Sequence, residues 1–198
     1  MSPPRRCLLL FCSLALASCT LRQPAVVTES FNFDLPAAPA GRPGGKSVAV
    51  LPATASPDAS GQMLLYRVDD VRYERDFYNR WLAPPARLLT SALRQWLVQA
   101  RVGQVREPGS PLASDLTVQP RLTDLYADYR NTSQPRTVVA MTLVIIQRDA
   151  SSSRQVFERS YRREVPMSEI SPAAAAEAWS RGVADIFSAF TADLRRVD

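Results

Sequence analysis

The chain of 198 residues has no histidine, and Lys46 is the one lysine among its 24 basic residues. Without imidazole there is no Ser-His or Cys-His nucleophile, no histidine-ligated metal and no histidine acid–base step. The three cysteines, Cys7, Cys12 and Cys19, fall in the first tenth of the chain. The remainder therefore forms no internal disulfide and no thiolate metal centre. There is no G-x-S-x-G elbow and no G-x-x-x-x-G-K-[ST] phosphate loop. A Ser-Lys dyad would have to recruit Lys46, which sits at the start of an expected strand. These absences argue against an enzyme and against a bound metal or cofactor. What is present is a core-forming mixture, 46% hydrophobic and 22% charged, of a length that suits one ordinary domain.

The chain opens with Arg5-Arg6, followed by an apolar run of eleven residues from Cys7 to Ala17. At about 1.5 Å per helical residue this run is far shorter than the ~30 Å hydrocarbon core of a bilayer. A basic start, a short apolar stretch and small residues at its end read as a secretory signal over residues 1–18. Leu16-Ala17-Ser18-Cys19 resembles the bacterial lipobox, in which the cysteine is acylated and becomes the first mature residue. That resemblance makes Cys19 the expected lipid attachment site, with palmitate among its acyl chains. Removal of Arg5 and Arg6 with the signal lowers the formal charge of +5 by two. Thr20 occupies the position where an aspartate favours inner-membrane retention in enterobacterial lipoproteins, so the resemblance implies sorting to the outer membrane.

Residues 19–45, rich in proline and glycine, read as a tether that carries one short strand where Phe31, Phe33 and Leu35 alternate with polar residues. Residues 46–198 read as the domain proper. Lys46 to Pro52 is a buried-strand signal, and residues 53–61 read as a loop. Residues 63–67 and 71–74 form an expected hairpin around Val68-Asp69-Asp70, and Asp76 to Leu82 leads into a helix over 85–100. In that helix Leu89, Leu93, Trp96, Leu97 and Ala100 recur at intervals of three and four. Strands are expected over 115–126, 136–148 and 154–165. The second of these, from Thr137 to Ile146, is apolar on both faces, which predicts a sheet covered on both sides. The third is arginine-rich and expected to be exposed. Ser171-Pro172 has the signature of an N-cap followed by proline at N1, opening a second amphipathic helix to about residue 196. The expected fold is α/β or α+β, a single mixed sheet covered by two amphipathic helices.

Leu65-Tyr66-Arg67-Val68-Asp69-Asp70-Val71-Arg72-Tyr73, then Trp81-Leu82-Ala83-Pro84-Pro85, resembles the ABC-type transport auxiliary lipoprotein family, the PqiC-like lipoproteins. The lipobox, the aromatic strand near the mature start, the Val-Ala-Val-Leu-Pro strand and the closing helix with Trp179 follow the same order. Phe31 and Phe33 depart from the family pattern, where tyrosines are common. The resemblance implies a periplasm-facing accessory lipoprotein of an ABC system with an MCE-type substrate-binding protein, a permease and an ATPase. Such systems move lipids or other apolar molecules between membranes and support envelope integrity. The alternative is a stand-alone envelope scaffold unrelated to transport. Export argues against nucleic acid as the partner of the basic charge, and a homo-oligomer stays open.

Asp69, Asp70, Glu74 and Asp76 alternate with Arg67, Arg72, Arg75 and Arg80. On paired strands that pattern reads as cross-strand ion pairs before it reads as an acid/base or cation site. Aromatics beside arginines are also the composition of interface hot spots. Tyr73, Tyr78 and Arg80 are the candidate partner-binding residues, because Val71, Phe77 and Trp81 are expected to supply the core.

Overall fold

Residues 27–107, 109–110, 112–149 and 151–197 are described by the structure, a computed structural model. The signal segment, Cys19 and residues 20–26 lie outside the described residues. The elements run β1 (Glu29–Phe31), β2 (Ser47–Val50), β3 (Thr54–Ala55), β4 (Met63–Arg67), β5 (Tyr73–Trp81), α1 (Pro85–Ala100), β6 (Gln104–Val105), β7 (Leu116–Asp128), β8 (Arg136–Arg148), β9 (Ser153–Pro166) and α2 (Pro172–Val197). A 3-10 turn at Pro57–Ala59 follows β3.

β7 organises the sheet. Along one edge it pairs antiparallel with β8, which pairs antiparallel with β9. Along its other edge it takes β2, β3 and β4 in succession, all parallel, with Val48 opposite Leu116, Thr54 opposite Arg121 and Tyr66 opposite Ala127. β5 joins β4 antiparallel, β1 joins β5 parallel, and β6 flanks β2. The result is the expected mixed α/β sheet, and the stretch read as a loop over 53–61 supplies β3 because the edge of β7 is open there.

Both helices cover one face. Val139, Met141, Leu143 and Ile145 of β8 share a single core with Leu93, Trp96 and Leu97 of α1 and with Trp179, Phe187 and Phe190 of α2. Burying each such side chain contributes about 1.5–3 kcal/mol. The two helices meet where the Trp96 indole N–H donates to the Thr191 hydroxyl at 3.1 Å and the ring lies edge-on to Phe187. α2 starts as its sequence requires, with the Ala174 N–H donating to Ser171 Oγ at 3.1 Å. Gly182 lets α2 approach the sheet closely: a Cβ there would stand 2.7 Å from Val139 Cγ1 and 3.2 Å from Val165 Cγ2.

The expectation of a sheet covered on both sides is corrected. On the opposite face Val138 joins only Leu65 and Tyr126 in a small separate cluster that includes no helix residue. Residues on this face of β8 are shielded by long neighbours such as Tyr126 and Arg162, whose side chains hydrogen-bond to each other. β9 is largely exposed, as expected. One carboxylate under α2 carried no sequence signal. Asp193 is buried and accepts hydrogen bonds from Tyr161 OH at 2.7 Å, from Arg159 at 2.6 Å and from Arg196 at 2.6 Å.

The expected tether is bound over much of its length. Phe33 and Ala38 are buried, and the N–H groups of Ala38, Gly41 and Gly44 donate to Gln99 Oε1, Ala100 O and Arg101 O at the end of α1. The strand in it is shorter than read, because Phe33 turns into the core against Trp81 at 4.6 Å between ring centroids.

Candidate docking surface

The β4–β5 hairpin carries all three candidate residues. At its turn, Asp69 Oδ1 accepts the N–H groups of Val71 at 2.9 Å and Arg72 at 2.7 Å, which holds the carboxyl below the usual carboxylate range. The Arg67 guanidinium donates to Asp70 O at 2.8 Å and lies 5.6 Å from the centroid of the Tyr73 ring. Asp70 pairs with Arg130 at 2.8 Å, and Arg130 also pairs with Asp128 at 2.8 Å. Hydrogen bonds from Arg130 hold the Asp128 carboxyl down at about 2 against the opposing effect of burial. The acidic cluster is therefore structural. Its pairs lie within the turn and reach the segment after β7, while exposed pairs of this kind each contribute about 0–1 kcal/mol. Among the described residues no group of acidic, cysteine or histidine side chains is arranged to hold a metal ion.

β5 is longer than the sequence pattern implied and contains a wide bulge. Met63 stands opposite Arg80 and Leu65 opposite Arg75, so residues 76–79 stand where β4 has only Leu64. Asp76 builds this bulge. Its carboxylate accepts from Tyr66 OH at 2.7 Å, from the N–H groups of Tyr78 at 2.9 Å and Asn79 at 3.0 Å, and from Asn79 Nδ2 at 2.9 Å. Burial pushes the Asp76 pKa up, and these hydrogen bonds outweigh it, so the carboxyl titrates below its usual range. Tyr66 stacks on Tyr129 at 5.1 Å. Burial and the Asp76 contact push the Tyr66 phenol well up, and burial with the Asp76 charge brings Tyr129 to about 12.

The expectation that Val71 and Phe77 feed the core is overturned, since they are 90% and 82% exposed. Trp81 does sit in the core, 5.3 Å from Trp179 between ring centroids. Tyr73, Tyr78 and Arg80 are all exposed, but they occupy two places. Tyr73 lies edge-on to Tyr126 at 5.5 Å, on the helix-free face. There it lines a hollow of about 200 Å³ with Leu65, Arg75, Asp124 and Tyr126. Tyr78 and Arg80 belong to the bulge and to the segment paired with β1. Sequence reasoning missed Phe77 as a surface residue. The signal was Asp76-Phe77-Tyr78-Asn79 itself, because an Asp able to bond N–H groups two and three residues ahead marks a break in a strand.

The architecture is that of an α/β domain with a mixed sheet backed by helices on one side. The chain belongs to the family of ABC-type transport auxiliary lipoprotein components, whose model matches residues 33–189. A crystal structure of a Xanthomonas campestris protein superposes with a TM-score of 0.73 at 14% identity, covering 83% of this chain and 93% of that one. A hypothetical protein of Chlamydia trachomatis gives 0.55 at 9% identity, covering 77% and 96%. Both likenesses concern the fold. No curated protein matches the chain in sequence. Family membership makes the protein an accessory lipoprotein component in ABC-type transport.

Proposed function

We propose that the protein is a non-catalytic lipoprotein, acylated on Cys19 and facing the periplasm from the outer membrane. In this reading it docks to an ABC system with an MCE-type substrate-binding protein that moves lipids or other apolar molecules between membranes. It thereby supports envelope integrity. The observation that carries the reading is the family match over nearly the whole described domain. The lipobox Leu16 to Cys19 supports the anchor, and Thr20 supports the outer membrane. Tyr73 and the hollow beside it are the docking element in this reading. The Tyr73 ring is held by Tyr126 and Arg67, so little side-chain freedom is lost on binding.

Affinity capture of the acylated protein, read by mass spectrometry, tests the proposal. The expected result is co-purification of an MCE-type protein with its permease and ATPase. Tyr73→Ala is expected to weaken that capture by about tenfold or more, the range of an aromatic hot spot, with Tm within a few degrees of wild type. Cys19→Ser is expected to abolish labelling by a fatty-acid analogue. Recovery of unrelated envelope proteins in place of transport subunits would overturn the transport reading.

A further inference from the structure

We infer that the bulge at residues 76–79 is a membrane-facing element, with Phe77 and Tyr78 seated among the headgroups of the bilayer that holds the protein's own anchor. The inference rests on acylation of Cys19 as proposed above, and adds a second contact with the same lipid surface.

The first observation is how Phe77 is displayed. A large apolar side chain that is 82% exposed is ordinary when it stands alone on a loose loop. Here the backbone just after it is fixed by two N–H donors to the Asp76 carboxylate, which also accepts from the Tyr66 phenol and the Asn79 side-chain amide. Tyr78, 55% exposed, stands next to it, so the bulge is a rigid mount for two aromatic rings.

The second observation is where the lipid tether enters. β1 runs parallel to β5 with Glu29 opposite Asn79. Residues 27 and 28 therefore lead into β1 along the edge of the sheet, beside the part of β5 where the bulge precedes Asn79. Val27, two residues before β1, is itself 76% exposed. Val27 follows Cys19 by only eight positions, and at 3.3–3.6 Å each these span at most about 30 Å. With Cys19 acylated as proposed, this edge of the sheet is thus the one leashed to the bilayer, with Val27 no farther than about 30 Å from the acylated residue.

The third is chemistry. Phe and Tyr rings are at home at the boundary between headgroups and acyl chains. Arg75 and Arg80 flank the bulge, both exposed, and neither forms an ion pair among the described residues. Guanidinium groups in that position suit the phosphates of anionic lipids. Acyl chains fix a protein to a bilayer but leave its orientation free, and a second, protein-borne contact fixes the orientation. With the bulge against lipid, the Tyr73 hollow on the helix-free face stays open to a partner.

The test uses the full acylated chain bound to vesicles of phosphatidylethanolamine and phosphatidylglycerol in equal amounts, with and without brominated acyl chains. Trp81, Trp96 and Trp179 are all buried, so native emission supplies a steady background. Phe77→Trp and, separately, Tyr78→Trp add a reporter on the bulge. Ser152→Trp adds one at the β8–β9 turn, at the far end of the long strands. The expected result is that the added emission of both bulge reporters shifts to the blue and is mostly lost with brominated lipid, while Ser152→Trp and wild type are unaffected. Vesicle-bound protein whose bulge reporters stay unquenched would overturn the inference and leave the anchor intact. Bulge reporters that respond only when a transport complex is added would assign the bulge to protein docking and overturn it equally. Protein that does not float with vesicles and carries an unmodified Cys19 by mass overturns the anchor, and the inference with it.

Discussion

The Tyr66 phenol donates a 2.7 Å hydrogen bond to the Asp76 carboxylate, tying the half-buried β4 to the foot of the exposed bulge on β5. The same carboxylate accepts three further hydrogen bonds from the bulge itself, so one side chain sets both the strand pairing and the aromatic display.

Tyr66→Phe keeps the ring on Tyr129 and removes one of four donors to Asp76. A hydrogen bond to a charged group contributes about 1.5–3 kcal/mol, and the three remaining donors place this loss near the lower end. Asp76→Ala orphans two backbone N–H groups and an amide, so its loss of stability in urea should exceed that of Tyr66→Phe. It should also let the Tyr129 phenol ionise at lower pH than about 12, read by ultraviolet titration, because the Asp76 charge that raises it is gone.

Acid stability has a sign fixed by Asp128. Its carboxyl is lowered from 3.8 to about 2 in the folded chain, first through hydrogen bonds from Arg130. A carboxyl depressed on folding stabilises fully above its unfolded pKa, and the contribution is lost as pH falls through the folded value. The window runs from about pH 4 down to about pH 2. Arg130 and Arg136 are 34% and 43% exposed, so solvent screening limits the contribution to about 1 kcal/mol. Asp128→Asn should therefore lower stability at pH 7 and flatten the loss between pH 4 and 2, measured by denaturant midpoints across pH.

Gly182→Ala sets two effects against each other. Alanine favours the helix by about 0.5–1 kcal/mol, whereas forcing a methyl into a packed core costs about 1–3 kcal/mol. Val139 is β-branched and cannot swing clear of the new Cβ. Overpacking wins, and a net loss of about 1 kcal/mol in thermal or urea unfolding is expected. An unchanged or raised midpoint would show that α2 shifts off the sheet at little cost.

Much of this fold was legible because it obeys simple periods. α1 and α2 follow from apolar residues at three and four, with proline at the first turn and Ser171 capping the second helix. β8 follows from its long apolar, β-branched run and β9 from its length and its place beyond the Ser-rich turn. The bulge was not legible as such, because residues 76–79 break the period-two pattern and are held by a side chain ten residues away in sequence at Tyr66. Phe77 and Val71 were misjudged for a related reason. Hydrophobic character says that a residue can be buried, and only the neighbouring strand decides whether it is. The two apolar faces of β8 misled in the same way. Its second face is covered by the tips of Tyr126 and Arg162, which pattern alone does not distinguish from a layer of helices.

β1 and the strap behind it have a mechanical consequence. If Cys19 is acylated as proposed, a pull on its lipid reaches the described domain through β1, which lies lengthwise against β5. Hydrogen bonds across such a pair are loaded together, in shear, and do not break in turn like the teeth of a zipper. Behind them Phe33 is wedged against Trp81, and the following backbone is fastened to the end of α1 through Ala38, Gly41 and Gly44. Tension applied to β1 would thereby be carried past the three-residue strand into the first helix.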